Sequence, residues 1–67
     1  MTLDERRTYF MVEMFSYLQQ FWNKTVDEML EIDERVNLLH YLRSGYDYFH
    51  MYGEQALIDA IKEDLDV

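Results

Sequence analysis

Apolar residues recur three or four positions apart along almost the whole chain, and no stretch alternates between apolar and polar residues as a half-buried strand would. The chain contains no proline and only two glycines, so few positions interrupt this periodicity. The pattern therefore predicts a single all-α domain over residues 1–67, a compact bundle of four helices of the up-down type with short connections.

Two capping-box sequences predict where helices begin. "TLDE" begins at Thr2 and "TVDE" at Thr25, and in each the threonine hydroxyl can accept from a backbone amide while the glutamate reaches back. We expect the first helix to run to about Trp22, with Asn23 in a left-handed exit, and the second helix to be short, ending near Ile32.

The second half of the chain predicts one long helix and one shorter helix. Asp33 can cap a third helix from Glu34 to about Tyr52, which Gly53 would end in the left-handed conformation. A fourth helix would follow from Glu54 to Leu65, with an apolar stripe facing the core and acids mostly outside.

The predicted third helix is apolar on two sides. One stripe should face the core and contains Leu38, Leu39, Leu42, Tyr46 and Phe49. Nearly opposite lies a tyrosine face, formed by Tyr41, Tyr48 and Tyr52 with Gly45 beside them. Gly45 costs about 1 kcal/mol relative to alanine inside a helix, so the close approach of another helix would compensate. Either a partner protein covers this face, or the broad apolar arc of the first helix covers it within the chain.

The charge of the chain argues against direct binding to nucleic acid. Fourteen acids against six bases give a net charge of −8, whereas nucleic-acid binders need a basic face. Five acids fall within the eight residues from Asp27 to Glu34: Asp27, Glu28, Glu31, Asp33 and Glu34. This segment is either a docking surface for a basic protein, a mimic of a phosphate track, or the solvated face of a short helix.

His40, Ser44 and Asp47 follow one side of the predicted third helix at positions i, i+4 and i+7. These residue types resemble a nucleophilic triad, but the amides of a helix interior are already bonded and cannot form an oxyanion hole. We therefore expect a polar helix face and no catalytic residues.

Asp47, His50 and Glu54 offer a second kind of chemistry, because two carboxylates and an imidazole could hold a divalent ion. Gly53 should interrupt the helix before Glu54, and structural metal sites usually recruit four ligands. We expect no metal and no cofactor, and a structural role for His50 as a hydrogen-bonding group near a helix end.

Size and composition indicate a need for a partner. A domain of 67 residues is marginally stable, and without cysteine it has neither disulfides nor thiolate metal sites. Association as a homodimer or hetero-complex would supply the missing stability. The charged N-terminus shows no secretion signal and no apolar run could span a bilayer, so we expect a cytoplasmic protein that does not enter a membrane.

From Tyr46 onward the sequence resembles a family of small bacterial helical domains of unknown function. The family pattern matches Tyr46, Asp47, Phe49, His50 and Gly53 in "YDYFHMYGEQALIDAIKEDL", and "KTVDEML" resembles the family's second helix. Genes of this family often lie beside one for an ADP-ribosyltransferase-like protein, an arrangement similar to toxin and antitoxin. The resemblance implies a neutralising or accessory, partner-binding role and brings no catalytic residues with it.

The expected function is thus non-catalytic protein binding by an antitoxin-like module, not an enzyme. Tyr41, Gly45, Tyr48 and Tyr52 would contact the partner, and the acids of the Asp27 to Glu34 segment would steer a basic toxin-like or nucleic-acid enzyme toward it. Two alternatives stay open. One is an acidic, phage-type inhibitor that mimics nucleic acid, and the other is a small metal-dependent enzyme that uses Asp47 and His50.

Overall fold

Thr2 and Thr25 each begin a helix through a capping box. The Thr2 hydroxyl accepts from the Glu5 amide at 3.1 Å, and the Glu5 carboxylate accepts from the Thr2 amide at 3.0 Å. Thr25 and Glu28 repeat this exchange at 3.1 and 2.8 Å. The computed structural model describes residues 1–67, and in it these contacts satisfy amides that a helix start otherwise leaves unbonded.

Four helices follow in the order α1 (Leu3–Phe21), α2 (Val26–Val36), α3 (Leu38–Ser44) and α4 (Tyr46–Asp64). The predicted all-α architecture of four helices is confirmed. α1 ends where the sequence predicts, since Trp22 caps it and Asn23 has a left-handed φ of 52°. None of the helices has the length and apolar character that a membrane crossing requires.

The predicted boundary between the second and third helices is wrong. α2 continues through Glu34 to Val36, so the shortest helix is α3, with seven residues. Asn37, at φ 57° and ψ 49°, adopts the left-handed conformation between the two helices. Asp33 lies inside α2, yet its carboxylate accepts a hydrogen bond of 2.8 Å from the Leu39 amide. Asp33 therefore caps α3 across the turn rather than from the adjacent position.

Gly45 divides the predicted long helix instead of lying inside it. It sits between α3 and α4 at φ −83° and ψ 1°. A Cβ at this position would lie 2.5 Å from the Cε2 atom of Phe49, well inside van der Waals contact. The close approach that the sequence predicts at Gly45 is thus made by a ring of the same chain.

Gly53 interrupts the helix where the sequence predicts, although its positive φ is not combined with the ψ of the left-handed α conformation. Its φ of 82° and ψ of −176° lie in a region that is open essentially only to glycine. The chain is helical on both sides of Gly53, so the predicted fourth helix is the second half of a kinked α4 that ends at Asp64.

Eight apolar side chains from all four helices form the core. They are Leu18, Met29, Ile32, Leu38, Leu42, Phe49, Leu57 and Ile61. α3 packs against each of the other helices and α1 also packs against α4. Leu39 and Tyr46 of the predicted core stripe are half-buried. The apolar arc of α1 is mostly half-buried around Leu18, and Phe21 at its end is 56% exposed.

Replacing Gly45 with alanine should destabilise the domain. The Phe49 ring is 6% exposed and belongs to the core, so it cannot move aside freely. Overpacking of this kind costs about 1–3 kcal/mol. Urea denaturation of Gly45→Ala should show this loss in the free energy of unfolding.

The companion variant is Phe49→Leu, which removes the ring from the path of the new methyl group. In that background Gly45→Ala should cost less, by an interaction of about 0.5 kcal/mol or more. An equal loss in both backgrounds would show that the ring is not what Gly45 accommodates.

The capping boxes should make stability depend on acidic pH. Hydrogen bonds from the backbone of Thr2 and Thr25 hold the pKa values of Glu5 and Glu28 below the ordinary value of 4.5. The pKa of each glutamate is lower in the folded than in the unfolded protein. The stability that the two capping boxes contribute is therefore complete above pH 4.5 and is lost as the pH falls through the folded pKa. Urea denaturation between pH 6 and pH 3 should follow that course.

The control is a double Glu5→Gln, Glu28→Gln variant, since glutamine serves a capping box without titrating in this range. Its free energy of unfolding should fall less steeply at acidic pH than that of the parent. Identical pH profiles would contradict the assignment.

Candidate partner-binding surface

Tyr48, Met51 and Tyr52 form an exposed patch on the first half of α4, here called the tyrosine patch. These side chains are 56%, 71% and 60% exposed, respectively. The rings of Tyr48 and Tyr52 lie one helical turn apart, with centroids 4.5 Å apart and planes at 33°. The two rings therefore pack on each other and leave much of their surface in water.

Phe49 anchors this patch to the core. Its ring is buried, and the Tyr48 ring meets it edge-on at a centroid distance of 5.2 Å and an angle of 90°. Tyr48 of the patch is thus in direct contact with a core residue. Gly53 follows Tyr52 immediately, so the patch occupies the helical segment that ends at the kink.

Tyr41 does not point away from the core as the sequence predicts. Its side chain is half-buried, with the ring centroid 5.9 Å from that of Phe49, and its hydroxyl donates to the Asp64 carboxylate at 2.8 Å. Burial and, after it, the bond to Asp64 raise the pKa of Tyr41 above the ordinary value of 10.0. Tyr41 therefore ties α3 to the end of α4, and only Tyr48 and Tyr52 of the three tyrosines are exposed.

A groove of about 640 Å³ lies beside the tyrosine patch and is here called the aromatic–acidic groove. Tyr41, Gly45 and Tyr48 of the predicted tyrosine face line it, together with the carboxylates of Glu63 and Asp64. No lysine or arginine lines it. The fold thus places two acids from the end of α4 next to the aromatic residues of α3 and α4.

His40 and Ser44 also line this groove and come close together. The Nε2 atom of His40 is 3.3 Å from the Oγ atom of Ser44, and both side chains are exposed. Asp47 lies elsewhere, because its carboxylate pairs with Arg7 at 3.2 Å. The structure thus brings together two members of the predicted polar face and gives the third a different partner.

His50 bonds within α4, where its Nδ1 atom lies 2.6 Å from the carbonyl oxygen of Tyr46. Its ring stacks on the Tyr46 ring at a centroid distance of 4.4 Å and an angle of 6°. No group of three or more histidine, aspartate or glutamate side chains is arranged to hold a metal ion. Asp47, His50 and Glu54 are therefore not assembled around a common point.

The predicted acidic docking residues are all exposed on α2: Asp27, Glu28, Glu31 and Glu34. Glu28 is engaged in the capping box of Thr25. Lys24 and Arg35 line a cleft of about 480 Å³ together with Glu28 and Glu31. Basic side chains thus accompany this acidic segment, whereas no lysine or arginine lines the aromatic–acidic groove.

Residues 9–66 match the model of a family described as a protein of unknown function, DUF3791. The chain belongs to this family. No curated protein and no solved structure matches the chain. The DUF3791 match includes α2, α3 and α4 and therefore both the tyrosine patch and the aromatic–acidic groove.

Sequence reasoning missed three residues of this surface. Met51 was not part of the predicted tyrosine face, although it lies between its members on the same helical turn. The sequence pattern places Glu63 and Asp64 among the outer acids of the last helix, and only the packing of that helix on α3 brings them to Tyr41. The exposure of Met51 could be found from the sequence, since the predicted core stripe leaves it outside.

Removing the hydroxyl of Tyr41 should affect both stability and its alkaline pH dependence. Tyr41→Phe loses the bond to Asp64, which is worth about 0.5–1.5 kcal/mol at neutral pH. The pKa of Tyr41 is higher in the folded protein than its ordinary value of 10.0. The stability that its hydroxyl contributes is therefore complete below pH 10.0 and is lost as the pH rises above that value. Tyr41→Phe should therefore lose less stability than the parent above that pH.

Tyr48→Phe is the matched control, because it removes the hydroxyl of an exposed tyrosine for which the structure shows no side-chain hydrogen bond. Urea denaturation at neutral and alkaline pH should separate the two variants. If both lose the same stability, the bond between Tyr41 and Asp64 contributes nothing.

Proposed function

We propose that this DUF3791 protein is a non-catalytic protein-binding module, antitoxin-like or accessory, that binds its partner through the tyrosine patch. The observation that carries this proposal is the packed pair of Tyr48 and Tyr52, each more than half exposed and fixed next to buried Phe49. Tyrosine and methionine are enriched in the cores of protein interfaces, and tyrosine buries a large area there at low entropic cost.

The acidic charge favours a basic protein as partner over a second copy of the chain. Two copies at −8 each repel one another, whereas a basic surface would be attracted and oriented before contact. The exposed acids of α2 add to this field: Asp27, Glu28, Glu31 and Glu34. A hetero-complex is therefore the association that we propose, in place of a homodimer.

The resemblance described above supports a particular kind of partner. Genes for such small helical domains often lie beside one for an ADP-ribosyltransferase-like protein, in a toxin and antitoxin-like order. The proposed partner is the product of that neighbouring gene, which the module would neutralise or assist. An inhibitor that mimics nucleic acid is less well supported, because exposed acids occur on α1, α2 and α4 rather than on one surface.

Alanine at both tyrosines of the patch should abolish capture of the neighbouring gene's product. Hot-spot aromatic residues contribute about 2 kcal/mol or more, so Tyr48→Ala with Tyr52→Ala should weaken binding at least about 30-fold. Co-purification followed by calorimetry measures the loss. Circular dichroism should show a folded domain, because substitutions at exposed positions usually change stability by about 0.5 kcal/mol or less.

Tyr9→Ala is the matched control. Tyr9 is a tyrosine on α1 that is 66% exposed and lies outside the patch, so its removal should leave binding unchanged. Full binding by the double variant, or an equal loss with Tyr9→Ala, would refute the patch as the binding surface. Light scattering of the free protein should show a monomer.

A further inference from the structure

We infer that the aromatic–acidic groove receives an arginine side chain of the protein partner. This inference rests on the proposed function and specifies which kind of partner side chain would bind next to the tyrosine patch. The guanidinium group would stack on the exposed Tyr48 ring and pair with the carboxylates of Glu63 and Asp64, which line the same groove.

The charges in the groove are not compensated within the chain. The only two ion pairs of the structure join Arg7 to Asp47 and Arg43 to Asp4, and both lie outside the groove. Glu63 and Asp64 therefore line a concave surface that holds no lysine or arginine of the domain, and His40 of the same groove is in contact with Ser44.

Tyr41 fixes one of these two acids in place. Its hydroxyl donates to the Oδ2 atom of Asp64, while Oδ1 of the same carboxylate makes no bond to the protein. A carboxylate held in this way loses less freedom when it accepts a further donor. The groove therefore offers an oriented acceptor, in addition to the Glu63 carboxylate, which bonds to no other side chain.

The aromatic residues that line the groove favour arginine over lysine as the side chain that binds there. Tyr41, Tyr48 and Phe49 line the groove, and Tyr48 keeps more than half of its surface exposed. A planar guanidinium is weakly hydrated and stacks on aromatic faces while donating to carboxylates in a fork geometry. An ammonium group is a strongly hydrated point charge and gains less from such a site.

A second copy of the chain fits the groove poorly. Each copy carries a net charge of −8, and two of its four arginines, Arg7 and Arg43, are already paired within the domain. A basic partner carries an excess of cationic side chains, so charge complementarity favours a different protein. The volume of about 640 Å³ leaves room for an arginine side chain together with flanking backbone.

The probe is the neutral-ended peptide acetyl-Gly-Arg-Gly-amide, titrated into the full chain and followed by NMR, with the lysine peptide for comparison. About 0.1 M salt limits the reach of the net charge to roughly 10 Å. The arginine peptide should shift the signals of Tyr48, Glu63 and Asp64. It should bind a few-fold more tightly than the lysine peptide, and Tyr48→Leu should weaken it by roughly two- to fivefold.

Matched charge variants test the site. Glu63→Gln with Asp64→Asn should weaken the arginine peptide roughly fivefold or more, since each exposed ion pair contributes up to about fivefold. Asparagine can still accept from Tyr41, so the fold should be unaffected. Glu5→Gln with Glu13→Gln removes the same charge from a surface of α1 that shares no residue with the groove, and should leave binding within about twofold, because salt screens exposed charges outside the site.

The inference is overturned if both charge variants weaken the peptide equally, if the shifted signals lie outside the groove, or if the peptide causes no shift in the groove. Its failure can be told from that of the proposed function. Capture of the neighbouring gene's product that needs Tyr48 and Tyr52 but tolerates Glu63→Gln with Asp64→Asn refutes only the arginine site. Peptide binding in the groove without capture of that product refutes only the proposed partner.

Discussion

The burial of α3 is the interaction on which the rest of the structure depends. A helix of seven residues is too short to be stable alone in water, yet Leu38 and Leu42 of α3 are fully buried. α3 exists because α1, α2 and α4 all pack against it. The Leu39 amide near the N-terminus of α3 donates to the Asp33 carboxylate of α2, so the capping group of α3 belongs to a neighbouring helix. The three longer helices are in turn held together largely by their contacts with α3.

The sequence predicts those parts of the fold that local chemistry decides. The helix starts at Thr2 and Thr25 follow from capping boxes whose donors and acceptors lie three residues apart. The division at Gly45 is different, because the apolar spacing from Leu42 to Phe49 continues through it as if one helix ran on. Gly45 leaves the helical region at φ −83° and ψ 1°, and the space beside it is filled by the Phe49 ring, whose position is set by the core.

The candidate surface was predictable to the extent that its contacts are local. Tyr48 and Tyr52 are one helical turn apart on one element, and their shared exposure follows from that spacing. Tyr41 bonds to Asp64, 23 positions away, and Arg7 bonds to Asp47, 40 positions away. No periodicity relates such distant pairs, so only the packing of α3 and α4 shows that Tyr41 belongs to the wall of a groove.

The first half of α4 contributes both to the core and to the proposed partner-binding surface. Phe49 is buried beside exposed Tyr48, so the core holds the patch in place before any partner arrives, which lowers the entropy that binding must remove. The dependence also runs the other way. A core of eight side chains leaves a domain of this size marginally stable, and a partner that binds only the folded form adds about 2.7 kcal/mol when its concentration is 100 times Kd. Such a partner, bound to Tyr48 and Tyr52, stabilises the segment that carries Phe49, and through Phe49 it stabilises the packing of that ring against Gly45, between α3 and α4.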